Sequence, residues 1–488
     1  MNAVRFAFAK QYGVIVDGEV DNVTKVLYHH LPPSFILAEI RRYLQMPIYL
    51  EQVSEEKFNQ LLVASYETDS ATAMQMVEDL GDAINLSDML HQLPKAEDLL
   101  ETQDDAPIIR LLNALFSEAI KEGASDVHIE TFEDHISIRF RIDGILRIVL
   151  EPPRVLAPLI ISRIKVMARL DIAEKRLPQD GRITLRIGGR AVDVRVSTMP
   201  TNHGERAVLR LLDKQSARLD LTHLGMEEKS LQLLKELILK PHGIILVTGP
   251  TGSGKTTTLY AILTVLNDNK RNILTVEDPI EFDLQGIGQT QVNPKIEMTF
   301  AKGLRAILRQ DPDVVMIGEI RDLETAQISI QSSLTGHLVL STLHTNSAIG
   351  AITRLDDMGV ESFLLASSLS GVIAQRLVRL LCQHCKKGLP ASPSECQLMG
   401  ISSSSPPIIY KAAGCSVCRQ SGYLGRSGVY DFIKIDETLR TMIHDKAAEQ
   451  KMRAYVRGLF PSLRQDGYRR VLKGDTTLEE VLRVTTDD

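Results

Sequence analysis

The stretch Gly249-Pro250-Thr251-Gly252-Ser253-Gly254-Lys255-Thr256 fits G-x-x-x-x-G-K-[ST], a loop that cradles a polyphosphate. Upstream, the apolar run Gly243-Ile244-Ile245-Leu246-Val247-Thr248 reads as a buried parallel strand. Downstream, Thr257, Leu259, Ala261, Ile262, Leu263, Val265 and Leu266 continue as a helix. The strand–loop–helix context that the pattern requires is therefore present. Glycines let the backbone turn its N–H groups onto phosphate oxygens, and the helix N-terminus adds its positive end. In such a loop Lys255 reaches the β- and γ-phosphates and the Thr256 hydroxyl holds Mg²⁺, with Thr257 next in the first helical turn. The implied ligand is ATP or a close analogue.

The chain has 488 residues, too many for one core and enough for three or so domains. A net charge of −6 argues against a dedicated nucleic-acid binder, and there is no tryptophan to stack on bases. The longest apolar runs fall short of a membrane span. The segment from Met1 to Gly13 shows no apolar signal core followed by small residues. Five cysteines, four of them in two C-x-x-C pairs, suit a reducing compartment and a metal rather than disulfides. A cytoplasmic protein is expected.

Residues 1–77 form a small domain without chemistry, expected to serve in docking. Ser34 is placed to cap a helix carrying Phe35, Leu37, Ile40 and Leu44, and Ser54 another carrying Phe58, Leu61 and Leu62. Residues 78–105 are acidic and poorly periodic, a solvated linker. A second, mixed α+β domain spans 106–213. It opens at Asp105-Ala106-Pro107 with a helix burying Ile108, Leu112, Leu115, Phe116 and Ile120. The period then switches to two: Ile136, Ile138, Phe140 and Ile142 lead through an Asp143-Gly144 turn into Ile145–Ile148. A second hairpin pairs Ile183-Leu185-Ile187 with Val192-Val194-Val196 around Gly188-Gly189. The polar side of these strands carries Arg139, Arg141, Arg176, Arg182, Arg186, Arg190, Arg195, Arg206 and Arg210. Most of them are expected on a solvated face, with one or two reaching nucleotide phosphates. Residues 214–226 form the next linker and 227–488 the loop-bearing domain, with strands expected at Gly243–Thr248, Asn272–Val276, Asp313–Ile317 and His337–Thr342. That spacing describes a mostly parallel α/β sheet.

Functional groups in such sheets collect at the carboxyl ends of the strands. Two such ends deliver acids beside the loop. One is Glu277-Asp278-Pro279-Ile280-Glu281; the other is Asp313-Val314-Val315-Met316-Ile317-Gly318-Glu319, a Walker B pattern ending in glutamate. One acid can hold Mg²⁺ and another can deprotonate water. Spacing alone does not separate Glu281 from Glu277 or Asp278. Cys382-x-x-Cys385 and Cys415-x-x-Cys418 offer four thiolates for a closed tetrahedral Zn²⁺ site in an insertion over 380–422. Cys396 is left over as a free thiol, and His384 is not expected to ligate. Near the C-terminus, Thr477-Leu478-Glu479-Glu480 reads as a capping box.

Together the loop, the acid box, the stretch Gly318-Glu319-Ile320-Arg321-Asp322 and the histidine box from Thr335 to His344 make the chain resemble the secretion ATPase superfamily. Its members are hexameric motors of type II secretion and type IV pili, and the likeness runs from about Pro107 to the C-terminus. The resemblance implies a RecA-like P-loop NTPase domain preceded by a PAS-like α+β domain and a small docking domain. It implies that Glu281 is the catalytic glutamate, that Glu319 acts at the Mg²⁺–water site, and that His337 and His344 attend the γ-phosphate side. Arg195 and Arg210 resemble arginines that swing onto bound nucleotide; Arg305, Arg309 and Arg321 resemble those near a subunit boundary. A zinc insertion is characteristic of the type II secretion and pilus-assembly branches, and the small N-terminal domain favours secretion. The implied partners are further copies in a homo-hexamer, an inner-membrane platform protein, and the cytoplasmic domain of a platform component that meets the N-terminal domain. A nucleotide-gated scaffold and a nucleic-acid motor are the readings this one displaces; no nucleic acid is expected.

Overall fold

The computed structural model describes residues 106–187, 190–213 and 220–485. Near the start of the chain it describes 12, 14–20, 23–30, 32–33, 36–37, 40–42, 47–54 and 57–58. The acidic linker, the Gly188-Gly189 turn, Ser34 and the side chains of Arg186 and Arg190 lie outside the described residues.

In the N-terminal domain, β1 (Val14–Val20) pairs antiparallel with β2 (Val23–Tyr28), which pairs parallel with β3 (Ile48–Gln52). Val14 and Val26 pack on Ile40, as the helical spacing predicts, and Ile36 joins them. The Ser54 hydroxyl accepts the Lys57 N–H at 3.4 Å, the expected cap.

The second domain begins with α1 (Ala106–Lys121), followed by β4 (Asp126–Thr131), β5 (Ile136–Ile142), β6 (Ile145–Leu150), α2 (Ala157–Ala168), β7 (Gln179–Ile187), β8 (Arg190–Thr201) and β9 (Gly204–Asp213). Its strands form one antiparallel sheet in the order β6-β5-β4-β9-β8-β7. Both helices cover one face: Leu112, Leu115 and Phe116 of α1 and Ile160 and Ile164 of α2 meet Ile136, Ile138, Phe140, Val194 and Leu209. The β5–β6 turn uses Asp143 and Gly144 at φ 49° and 84°, as a tight hairpin with right-handed strand twist requires. Strands β4 and β9 were not among the predicted elements, and β4 changes the reading of the opposite face. Its Asp126 and Glu130 stand among the arginines, so part of that face is charge-paired, while Arg176, Arg182 and Arg210 remain exposed as expected. Arg139 and Arg206 pair with Glu130, while Arg141 and Arg210 pair with Asp126.

The expected linker 214–226 ends inside a core. Leu221 and Leu224 are buried with Leu234, Val247 and Tyr430, and the Tyr430 hydroxyl donates to the Leu224 carbonyl at 2.9 Å.

The remaining elements are α3 (Glu228–Ile238), β10 (Gly243–Thr248), α4 (Lys255–Leu266), β11 (Ile273–Glu277), β12 (Gly288–Gln291), α5 (Phe300–Ile307), β13 (Val314–Ile317), α6 (Leu323–Leu334), β14 (Leu338–Leu343), α7 (Ala348–Asp357), α8 (Ser362–Ser368), β15 (Leu369–Leu381), β16 (Lys387–Pro390), α9 (Pro393–Met399), β17 (Ile408–Lys411) and β18 (Tyr423–Lys434), then four C-terminal helices. The large sheet runs β12-β11-β13-β14-β10-β15-β18, parallel throughout except for β18 against β15. Four strands sit within a residue of their expected places. Strands β12, β15 and β18 are additional. The polar Gln375, Arg376 and Arg379 interrupt the apolar run of β15, so neither a strand nor a helix period stands out. The sheet is apolar on both faces because helices cover both. Asp322 caps α6, its carboxylate accepting the Thr325 N–H at 2.8 Å.

Between β15 and β18 the chain makes a β16–β17 hairpin around α9. Cys396 on α9 is buried in the core. The C-terminal capping box forms only by half. The Thr477 hydroxyl accepts the Glu480 N–H, but the Glu480 carboxylate turns away to Arg379 and Arg483. A buried carboxylate gains more from two guanidinium donors than from one backbone N–H. Among the described residues no helix is long and apolar enough to cross a membrane.

Candidate functional site

The phosphate-loop pattern sits between β10 and α4. Gly249 and Gly254 have φ of 152° and 86°. A Cβ on Gly249 would meet the Gln375 carbonyl oxygen at 2.5 Å, and one on Gly254 would meet Gln375 Nε2 at 2.8 Å, so both positions need glycine. Gly252, at φ 79°, borders open space. Among the described residues, the Ser253 hydroxyl oxygen is buried without a partner, and no side chain caps α4. Polar groups left this way at a helix N-terminus fit an anionic ligand. Lys255 Nζ donates to the carbonyls of Gly249 at 2.9 Å and Pro250 at 3.1 Å. Burial holds its pKa below the usual lysine value; Glu319 opposes that shift and Arg376 adds to it.

The tips of β10, β11, β13 and β14 open into one cavity of about 560 Å³. Thr251–Thr257, Glu277, Asp278, Glu281, Glu319, Arg321, His344 and Arg210 are among its lining residues. That size suits a nucleotide. Glu319 accepts from Arg321 and lies 3.1 Å from His344 Nε2.

Three carboxylates left equivalent by spacing are separated by their surroundings. Glu277 is buried and accepts from Tyr260, from the Thr275 hydroxyl at 2.7 Å and from Gln289 at 3.0 Å. Asp278 is exposed. Glu281 lies 3.1 Å from Arg195 of the second domain, which also donates to the Ile280 carbonyl at 2.7 Å. Tyr260 was not visible as a site residue: it occupies an apolar helix face, where a core tyrosine is ordinary. Its hydroxyl bridges Glu277 and the Glu281 N–H. Burial, then the bond to Glu277, raises its pKa, so it remains a protonated donor.

Only some of the other predicted residues converge. His344 follows the carboxyl end of β14 and reaches Glu319, whereas His337 precedes the strand and bonds the Ser332 carbonyl at 2.8 Å. A strand of six residues, at about 3.3 Å each, puts the two histidines at opposite ends of the sheet. Arg195, Arg210 and Arg321 reach the cavity or its acids. Arg305 pairs with Glu324 at 2.6 Å and Arg309 donates to the Arg305 carbonyl at 2.9 Å; both are exposed on or beside α5, and neither lines the cavity.

A second constellation lies at the base of the insertion. The Sγ atoms of Cys382, Cys385, Cys415 and Cys418 all fall within 4.8 Å of one another. The separations of Cys382–Cys415, Cys385–Cys418 and Cys415–Cys418 are 3.9, 3.7 and 3.7 Å. A tetrahedral Zn²⁺ with sulfur at ~2.3 Å needs sulfur–sulfur edges of about 3.8 Å, so the donor set fits. Burial pushes the Cys418 thiol up, but N–H groups of Cys415 and Gly422, each 3.2 Å from its sulfur, bring it down to about 6. His384 is exposed and outside the cluster.

A family model described as "Type II/IV secretion system protein" matches residues 101–483. The chain belongs to that family. A second model, for a domain of "GSPII protein E", matches residues 3–66 of this family member. Similar relatives include the "Type II secretion system protein E" of Pseudomonas aeruginosa, 62% identical over 93% of this chain and 90% of that one. The "Type II secretion system ATPase E" of Vibrio cholerae is 57% identical over 99% of this chain and 96% of that one. Among solved structures, the pilus retraction motor PilT with bound ADP aligns at a TM-score of 0.53 and 28% identity, over 76% of this chain and 96% of that one. The Legionella pneumophila ATPase DotB aligns at 0.56 and 20% identity, over 76% and 94%, a likeness of fold alone.

Proposed function

We propose that this secretion-family protein is an ATP-hydrolysing motor that powers type II protein secretion. The observation that carries the reading is that the phosphate loop, Glu281 and Glu319 open into one cavity from separate strand tips. The names of the similar relatives and the family match over residues 3–66 favour type II secretion over pilus assembly.

In this reading the N–H groups from Gly249 to Thr256 cradle the phosphates. Lys255 exchanges its carbonyl partners for phosphate oxygens. Thr256 and Glu319 would hold Mg²⁺, which would supply charge neutralisation at the phosphates. Glu281 accepts the proton of the attacking water, while Glu277 and Tyr260 hold the acid-box turn. His344 orients Glu319. Arg195, Arg210 and Arg321 stabilise the charge that moves onto phosphate oxygens in the transition state. Closure of the PAS-like second domain over nucleotide converts turnover into rigid-body movement.

The motor works as a homo-hexamer, with Arg305 and Arg309 near the subunit boundary and Zn²⁺ on the four cysteines. Residues 1–77 dock to the cytoplasmic domain of an inner-membrane platform component, holding the protein at that membrane. Phosphate release by the assembled protein tests the reading. Lys255→Ala should abolish it, and retained turnover in that variant would overturn the site. Absence of release from an assembled hexamer, or release driven by single-stranded DNA, would overturn the motor assignment.

A further inference from the structure

We propose that Asp126 is a positioning residue for turnover, which holds Arg210 so that its guanidinium fork is presented to the nucleotide cavity. This rests on the proposed role of Arg210 in the ATPase reading.

Arg210 lies on β9 and lines the cavity formed by the phosphate loop, Glu281 and Glu319. Its Nε donates to Asp126 Oδ1 at 3.0 Å. That bond uses Nε, the inner nitrogen, and the two terminal nitrogens make no hydrogen bond to protein among the described residues. More than half of the Arg210 side chain is exposed, whereas Asp126 is only 8% exposed.

The anchor is itself anchored. Asp126 stands directly opposite Arg210 across the β4–β9 ladder and opposite Arg141 across β4–β5. The Ser125 hydroxyl donates to Asp126 Oδ2 at 2.8 Å, and Arg141 Nε lies 3.7 Å from the same oxygen. One carboxylate oxygen is thus occupied by Ser125 and Arg141, and the other is left for Arg210. The neighbouring Arg206 has a different acid, Glu130, so it does not compete for Asp126. A guanidinium restrained at one edge loses less side-chain freedom when its other edge meets phosphate than a free arginine would.

The test is a double-mutant cycle with Asp126→Asn, which keeps side-chain size, and Arg210→Ala. Phosphate release is read alongside the affinity for a fluorescent non-hydrolysable ATP analogue. Asp126→Asn should lower kcat at least about tenfold. The double variant should be no slower than Arg210→Ala alone, because the carboxylate acts only through that arginine. Losses that multiply in the double variant, or a kcat within twofold of the parent in Asp126→Asn, would overturn the proposal. Arg210→Lys serves if Asp126→Asn fails to fold: it keeps the charge but cannot be gripped at Nε, and wild-type turnover would equally overturn it. Wild-type turnover in Arg210→Ala would remove the arginine's role while leaving the ATPase reading intact. Absent turnover in the parent would remove both.

Discussion

Arg195 of the antiparallel domain and Glu281 of the acid box form an ion pair at 3.1 Å, with both side chains largely buried. The same guanidinium holds the Ile280 carbonyl. The acid proposed to activate water is therefore oriented by a residue from a different domain. In the proposed mechanism, nucleotide chemistry and domain position are joined through that one guanidinium.

Glu281→Gln keeps the shape and hydrogen-bonding capacity of that contact but removes the base. Turnover should fall by about 10²–10⁴-fold, while affinity for an ATP analogue stays near the parent value. Filter retention of nucleotide beside phosphate release checks this, and undiminished release would reassign the base.

Gly249→Ala places a Cβ at φ 152° against the Gln375 carbonyl. The strain should cost about 1–3 kcal/mol of stability, and it distorts the loop that would hold phosphate. A lowered urea midpoint together with weakened ATP-analogue binding is expected; wild-type values in both would contradict the packing described.

Cys382→Ser removes one corner of the four-sulfur cluster. Zinc bound per chain should fall on elemental analysis, and the insertion between β15 and β18 should become protease-sensitive. Unchanged metal content would refute the site.

Glu480 has a fully buried side chain between Arg379 and Arg483. Burial raises its pKa, but the bonds from Arg483 and Arg379 outweigh that and bring it down from 4.5 to about 2. A depressed carboxylate stabilises the fold fully above its unfolded pKa and loses that contribution as pH falls through its folded pKa. The wild-type advantage over Glu480→Ala should be on the order of 3 kcal/mol at neutral pH. It should shrink between pH 4.5 and about 2, as read by urea unfolding at several pH values. A difference that is constant with pH would mean that packing, not charge, sets the cost.

The features legible in the sequence are those whose chemistry lies within a few residues. The loop from Gly249 to Thr256, the apolar strand running into Glu319, the two C-x-x-C pairs and the Asp143-Gly144 turn are of this kind. Other features depend on partners far along the chain. Strand β15 is not visible because both its neighbours, β10 and β18, supply the pairing that its mixed sequence does not announce. The Glu480 carboxylate leaves its local cap for an arginine on β15.

Sequence by itself determined that a phosphate-loop pattern, strand-end acids and two paired-cysteine motifs exist, because local backbone geometry and ligand chemistry impose the residue types and spacings involved. Only the tertiary structure decided which groups engage each acid, which histidine reaches Glu319 and which arginines are already paired. Burial and the approach of charges from distant strands make those choices, and neither has a signature in neighbouring residues.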